Sequence, residues 1–236
     1  MKKPTSGRCN RREFFRRAAA GACVAAPLVV RSTALGMDGA VAPSNRITLG
    51  SIGVGMMGQG HLHCFLRYPE AQVVAACDVD RWRRDNAKRM AEAAYAAGQP
   101  AGTYRGFRAY NDLRELLGRD DIDAVVIATG DNWHGTASVM AATAGKDIYC
   151  EKPISKTIRE ARAMVEAARR YGRVFQIGLQ QRSTHEFIKA CRLVKDGRIG
   201  RVKIVYVIFP GTSGDVNLPA EPVPEGLDWD LWLGPA

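Results

Sequence analysis

Two groups of residues have types and spacings that can do chemistry. The first is Gly53-Val54-Gly55-Met56-Met57-Gly58, a G-x-G-x-x-G turn. It follows an apolar run (Ile47, Leu49, Ile52) and precedes a helix-like segment from about Gln59 to Arg67. The first glycine permits a tight turn, the second lets backbone approach a pyrophosphate, and the third lets the helix pack on the strand. Phosphates would sit at the helix start, where free N–H groups and the helix dipole favour negative charge. Asp78 closes a second apolar run, Val73 to Cys77, 25 residues after Gly53. An acid at that distance holds a ribose hydroxyl. The bland alternative is a glycine-rich turn beside an ordinary strand-end aspartate. Asp78 would repel a 2′-phosphate, which favours NAD over NADP. Arg81, Arg83 and Arg84 follow closely and could reach adenine or phosphate, although a solvated helix face explains at least two of them.

The second group is Glu151-Lys152-Pro153, at the end of an apolar run. A lysine whose pKa is lowered from about 10.4 by burial or nearby positive charge can take or give a hydroxyl proton. A salt bridge to Glu151, or a solvated turn lysine, would explain Lys152 equally well. Glu151 is read as orienting rather than reacting. Thr129, Asn132 and His134 lie in another loop that follows an apolar run. His134 could cap the next helix or touch a cofactor, and contact is the reading adopted. His61 and His63 are two apart on a helix and face different sides, so both are assigned surface or packing roles, as is His185. Trp229 and Trp232 are read as packing residues. No nucleophile turn and no metal-ligand spacing is found.

These loops need elements to hold them. After Asp78 comes an alanine-rich surface helix, Arg81 to Ala97, broken by Gly98 to Gly102. Tyr110 ends a short strand, and Asp112 to Glu115 has capping-box spacing. Ala124 to Thr129 is continuously apolar, as a strand covered on both faces must be. A helix to Gly145, a strand from Asp147 to Cys150, a capped helix from Thr157 to Tyr171 and a strand from Val174 to Ile177 follow, then a helix from His185 to Lys195. This β-α alternation predicts an α/β fold with a doubly wound parallel sheet of the Rossmann type, with all the loops on its carboxyl edge. Val202 to Phe209 reads as a long strand with little helix after it. It opens what is expected to be a truncated α+β second domain. The expected organisation is a leader and linker at 1–44, a dinucleotide-binding domain at 45–178, and at 179–236 a linking helix and the incomplete start of a substrate or oligomerisation domain.

The net charge is +10, but residues 1–36 hold eight Lys or Arg against one acid, leaving +3 for the rest. The basicity is therefore in the leader and not on a nucleic-acid face. Asn10-Arg11-Arg12-Glu13-Phe14-Phe15-Arg16 precedes an apolar run from Ala18 to Val30, too short to span a bilayer, which takes about 20 residues. This resembles a bacterial twin-arginine (Tat) signal and implies export in folded form to the periplasm, with the Tat machinery as a partner. Six cysteines without C-x-x-C spacing read as small buried hydrophobes, and no disulfide framework is expected.

From Arg46 to Ala236 the chain resembles the amino-terminal half of Gfo/Idh/MocA oxidoreductases. The resemblance rests on the Gly-rich turn, the loop Ala128, Thr129, His134, the triplet Glu151-Lys152-Pro153, the G-x-Q-x-R stretch (Gly178, Gln180, Arg182) and D-W-D-L-W-L-G-P-A at the end. It implies that Gly53, Gly55, Gly58 and Asp78 hold the dinucleotide, with Met56 and Met57 in the same turn. Thr129, Asn132 and His134 would lie near it, as would Glu151, Gln180 and Arg182, and Lys152 would face the reacting carbon. The implied activity is hydride transfer between NAD and a sugar or polyol hydroxyl, with a homo-oligomer formed once the second domain is complete. The family's Asp and His partners of the lysine are not found after Arg201, so the chain is expected to carry an incomplete acid–base set. Two alternatives remain: a glycosidase that uses NAD for transient oxidation of its sugar, and a nucleotide-binding fragment without catalysis.

Overall fold

A computed structural model describes Met37 and residues 41–98, 106–208 and 217–235. The expected twin-arginine leader, the expected break after Gly98 and residues Phe209 and Ala236 lie outside the described residues. The chain divides into two compact units, Met1–Pro43 and Ser44–Ala236. The sheet and its covering helices belong to the second.

Six parallel strands form one sheet: β1 (Ile47–Ile52), β2 (Ala71–Cys77), β3 (Arg108–Tyr110), β4 (Ala124–Ile127), β5 (Asp147–Glu151) and β6 (Phe175–Gly178). Their order is β3-β2-β1-β4-β5-β6, so the chain reverses direction across the sheet between β1 and β4. Ile52 pairs with both Cys77 and Ile127, and Ile127 with Cys150. The strand ends are thus level, and every following loop emerges on one rim. In an open α/β sheet, ligands bind at that reversal.

Helices cover both faces, as a strand like Ala-Val-Val-Ile requires. On one face α1 (Met56–Phe65) and α2 (Arg81–Gly98) bury Leu62, Ala87, Ala91 and Tyr95 against Leu49, Val73 and Ala76. On the other, α3 (Leu113–Leu117), α4 (Asp131–Thr143) and α5 (Ile158–Arg170) bury Leu116, Ala137, Ala141 and Met164 against Val74, Val125 and Ile148. Neighbours Val73 and Val74 go to opposite cores because successive strand residues point to opposite faces. Of the two capping-box spacings, one closes as a box. The Asp112 side chain accepts the Arg114 N–H, and Thr157 and Glu160 complete a reciprocal capping box. None of the residues of α6 (His185–Lys195) is buried.

The expected strand from Val202 is corrected. Residues 202–208 carry no strand assignment and are exposed along their length. Apolar, β-branched residues favour a strand only when another strand supplies the ladder, and none among the described residues pairs with this stretch. The segment that follows returns to the sheet. Gly226 accepts the Arg81 N–H, Asp80 and Leu227 form an antiparallel bridge, and a short helix α7 (Trp229–Leu233) begins under an Asp228 cap. Among the described residues no helix is long and apolar enough to cross a membrane.

Candidate functional site

The rim at the reversal is built from backbone first. Gly53 has φ of +82°, and a Cβ there would lie 2.6 Å from the Ala128 carbonyl oxygen. At Gly58 a Cβ would meet the Gly53 carbonyl oxygen at 2.0 Å. Both positions therefore demand glycine, the first for the turn and the third for seating α1 on β1. Gly55 stands at the N-cap of α1 and Gly130 at that of α4, and neither helix receives a side-chain cap. Two helix starts with first-turn N–H groups open to a ligand thus flank the gap between β1 and β4.

Asp78, 7% exposed, faces this turn. Its Oδ2 accepts the Val54 N–H at 2.8 Å and its Oδ1 the Asp80 N–H at 3.0 Å. Each oxygen keeps a second lone pair for a hydroxyl donor. Arg84 donates to the Asp78 carbonyl and to Asn111 Oδ1 at 2.6 Å, so it is a structural residue and not a solvated one. Arg83 lies over the turn, where a Cβ at Gly55 would come within 3.2 Å of its guanidinium.

A cavity of about 360 Å³ opens here. Gly53, Gly55, Asp78, Arg83, Thr129 and Asn132 are among its lining residues. The carboxy-terminal segment closes one side. Trp133 Nε1 donates to the Leu231 carbonyl at 2.8 Å, Asn132 Nδ2 to that of Leu233 at 2.8 Å, and Asn111 Nδ2 to Asp228 Oδ2 at 2.8 Å. Trp229 and Trp232 stack with ring centroids 4.8 Å apart, and Trp232 also lines the cavity. The expectation of packing for this pair describes Trp229. It omits Trp232's place in the cavity wall.

The other sequence-predicted residues fall into two places. Met56 stands on the rim, 93% exposed, beside a half-exposed Met57, and neither lines the cavity. The structure places His134 outside the cavity wall. It is 1% exposed, and its Nδ1 lies 2.6 Å from the Pro153 carbonyl oxygen and its Nε2 3.2 Å from that of Thr129. Nδ1, the nearer nitrogen, donates to the Pro153 carbonyl, so the ring ties the start of α4 to the loop after β5. Nothing in the residue pattern distinguishes a buried helix-start histidine of this kind from a contacting one.

Lys152 is exposed on the rim after β5, outside the cavity and across the reversal from Asp78. The peptide bond between it and Pro153 is cis. Glu151, only 3% exposed, receives Lys152's own backbone N–H on Oε2 at 3.0 Å. Its Oε1 takes the Gln180 amide and, at 2.6 Å, the Nε2 of His61. A carboxylate only accepts, so Nε2 carries the proton in this bond. The surface or packing role expected for His61 is thereby corrected: an H-x-H pair on a helix gives no sign that a strand 90 residues away will present a carboxylate. Tyr149 meets the imidazole edge-on at 5.2 Å. Burial, and next the Glu151 charge, push its phenol up, so it stays neutral beside the carboxylate. Gln180 is thus a partner of Glu151, while Arg182 is exposed outside the cavity.

Lys156, Asn111 and Trp133 complete the cavity wall and were not singled out from the sequence. The donor set fits a dinucleotide. There is a cradle that added Cβ atoms would fill, two open helix starts for phosphates, and a buried acid for a ribose. Among the described residues no group of three or more His, Cys, Asp or Glu could hold a metal ion.

Comparison with known proteins agrees. The sequence model of the "Oxidoreductase family, NAD-binding Rossmann fold" matches residues 47–179. The chain is 30% identical over 194 residues to Inositol 2-dehydrogenase 2 of Saccharopolyspora erythraea, covering 79% of this chain and 53% of that protein. It is 38% identical over 131 residues to Glycosyl hydrolase family 109 protein 2 of Shewanella sp. (strain ANA-3), covering 55% and 28%. Scyllo-inositol dehydrogenase from Lactobacillus casei, solved with NAD(H) and scyllo-inositol, superposes with a TM-score of 0.56 at 25% identity, over 66% of this chain and 42% of that one. The chain spans about half or less of the length of these relatives. With its reversal-point cradle, the buried Asp78 beside it and the match over 47–179, this chain belongs to the Gfo/Idh/MocA oxidoreductase family and carries that family's NAD-binding Rossmann domain.

Proposed function

We propose that the protein is an NAD-dependent oxidoreductase that moves a hydride between the nicotinamide and a carbinol carbon of a sugar or polyol. The observation that carries the reading is the placement of Asp78 and Lys152 on one rim, on opposite sides of the reversal flanked by Gly55 and Gly130. NAD, when bound, supplies the hydride acceptor. Gly53, Gly55 and the start of α1 would hold its phosphates, Asp78 its ribose, and Arg83 would lie against the adenosine end. Lys152 would take the hydroxyl proton at Nζ as the carbinol is oxidised. The polyol class is supported by inositol dehydrogenases among the relatives. The twin-arginine leader supports export as a folded, nucleotide-loaded protein.

A second reading has one observation in its favour. The relative named as a glycosyl hydrolase is 38% identical over its 131 matched residues, against 30% over 194 for the inositol dehydrogenase. In that reading the same rim oxidises a sugar transiently, and the nucleotide returns to its starting state within each turnover.

The deciding experiment has two steps. Protein purified without added nucleotide is denatured and its released ligand identified by mass spectrometry; recovery of NAD supports the site. The folded protein is then offered inositols, free sugars and aryl glycosides. Net NADH formation supports the dehydrogenase, and aryl release without net NADH supports the glycosidase. Absence of both NAD retention and NAD binding overturns the shared reading.

A further inference from the structure

The His61–Glu151 contact joins two parts of the rim that the proposed reaction must keep in register. A buried carboxylate is costly unless its oxygens are paired. Glu151 meets that demand with donors from three elements: His61 on α1, Gln180 in the 3-10 turn after β6, and the main chain of Lys152. Two of the three converge on Oε1 and fix the carboxylate plane. Oε2 is then left facing the Lys152 N–H. On the far side of Lys152, the Pro153 carbonyl is bonded by His134. Lys152 therefore leaves a backbone held at its own N–H and again one residue on, at the Pro153 carbonyl, with a side chain that is itself exposed.

The origin of His61 matters as much as its partner. It lies five residues into the helix whose first turn forms the phosphate cradle, a rise of about 7.5 Å. One rigid helix thus touches the nucleotide site with its start and the lysine's neighbour with its middle. We infer that His61 is a positioning residue: through Glu151 it sets where Lys152 stands relative to the cradle. The inference rests on the proposed hydride-transfer reading for its purpose, but the contact it describes can be tested without turnover.

Lysines of the intact chain are reductively methylated with 13C, and the Lys152 resonance is identified by its loss in Lys152→Arg. His61→Leu removes the donor at similar volume, whereas His61→Gln can still donate an N–H to Glu151. Thermal melts and NAD titration accompany each variant to separate misfolding from misplacement. The expected result is a displaced Lys152 resonance in His61→Leu, a near-native one in His61→Gln, and NAD affinity unchanged in both. Where the wild-type protein turns over substrate, His61→Leu lowers kcat by roughly ten- to a hundredfold with KM for NAD unchanged, and His61→Gln recovers most of it. An identical Lys152 resonance in wild type and His61→Leu overturns the inference, as does a His61→Gln protein that behaves like His61→Leu. If wild type neither binds NAD nor turns over, the oxidoreductase reading fails on its own, and the resonance still decides the role of His61.

Discussion

The carboxylate of Asp78 accepts the backbone N–H of Val54 at 2.8 Å, across 24 residues of chain. The acid expected to hold a ribose therefore also holds the glycine turn. Replacing it by alanine removes the partners of two N–H groups, those of Val54 and Asp80. Asp78→Ala is expected to lose about 1–3 kcal/mol of stability together with most of its NAD affinity. Denaturant titration and calorimetric NAD binding, run on the same sample, check both halves.

Two glycines on α1 separate tight packing from mere helix propensity. Gly58→Ala drives a Cβ into the Gly53 carbonyl, a backbone atom that cannot swing away. A loss of about 1–3 kcal/mol and weakened nucleotide binding are expected. Gly60 has nothing within 4 Å of an added Cβ. Gly60→Ala should stabilise by roughly 0.5–1 kcal/mol through helix propensity alone. Equal effects from the two substitutions, read by chemical denaturation, would contradict this account of the turn.

Lys146 is a buried lysine with a structural task. Its Nζ donates to the carbonyls of Arg119 and Ile122, at 2.5 and 2.9 Å, below the sheet's amino edge. Lys146→Met keeps the stem and leaves both carbonyls without that donor. The expected cost is on the order of 1–3 kcal/mol, with NAD affinity untouched because the site is at the opposite edge.

Cys77 ends β2 and Cys150 stands one residue before the end of β5, and both are buried. Burial, with the nearby Asp78 charge second, pushes the Cys77 thiol from 9.0 up to about 12. Burial likewise pushes Cys150 up to about 11. The thiolate is the reactive form, so both should resist alkylation at pH 8 in the folded protein. Cys64 and Cys191 are exposed and should react; peptide mapping after a timed pulse distinguishes them. The pH dependence follows from the direction of the shift. Below pH 9 both states keep the thiols protonated and the contribution to stability is full. Above it the unfolded chain releases protons that the folded chain retains, so stability falls progressively as pH rises toward the folded values.

Much of this fold was legible because its signals are local and regular. The β-α alternation, the run from Ala124 to Ile127 and the capping box at Thr157 each state an element within a few residues. The cradle was legible for a steric reason: Gly53 and Gly58 are dictated by backbone approaching backbone. What was not legible depends on distant partners. His61 and His134 look alike in sequence, since a histidine's role is set by whichever carbonyl or carboxylate the fold brings beside it. Lys156 and Asn111 are ordinary loop residues until the rim gathers them. The stretch after Arg201 failed in the other direction. Its composition favours a strand, but composition supplies no ladder.

The bond between Asn111 and Asp228 spans 117 residues of chain. During synthesis the glycine turn, Asp78 and the loop at Asn132 are all made long before the segment that walls their cavity. A chain without Asp228 would lack the bond that ties this wall to Asn111. A chain ending at residue 225 should exchange nucleotide faster than the intact one, which makes trapping of the ligand an event in the order of translation as much as a property of the finished surface.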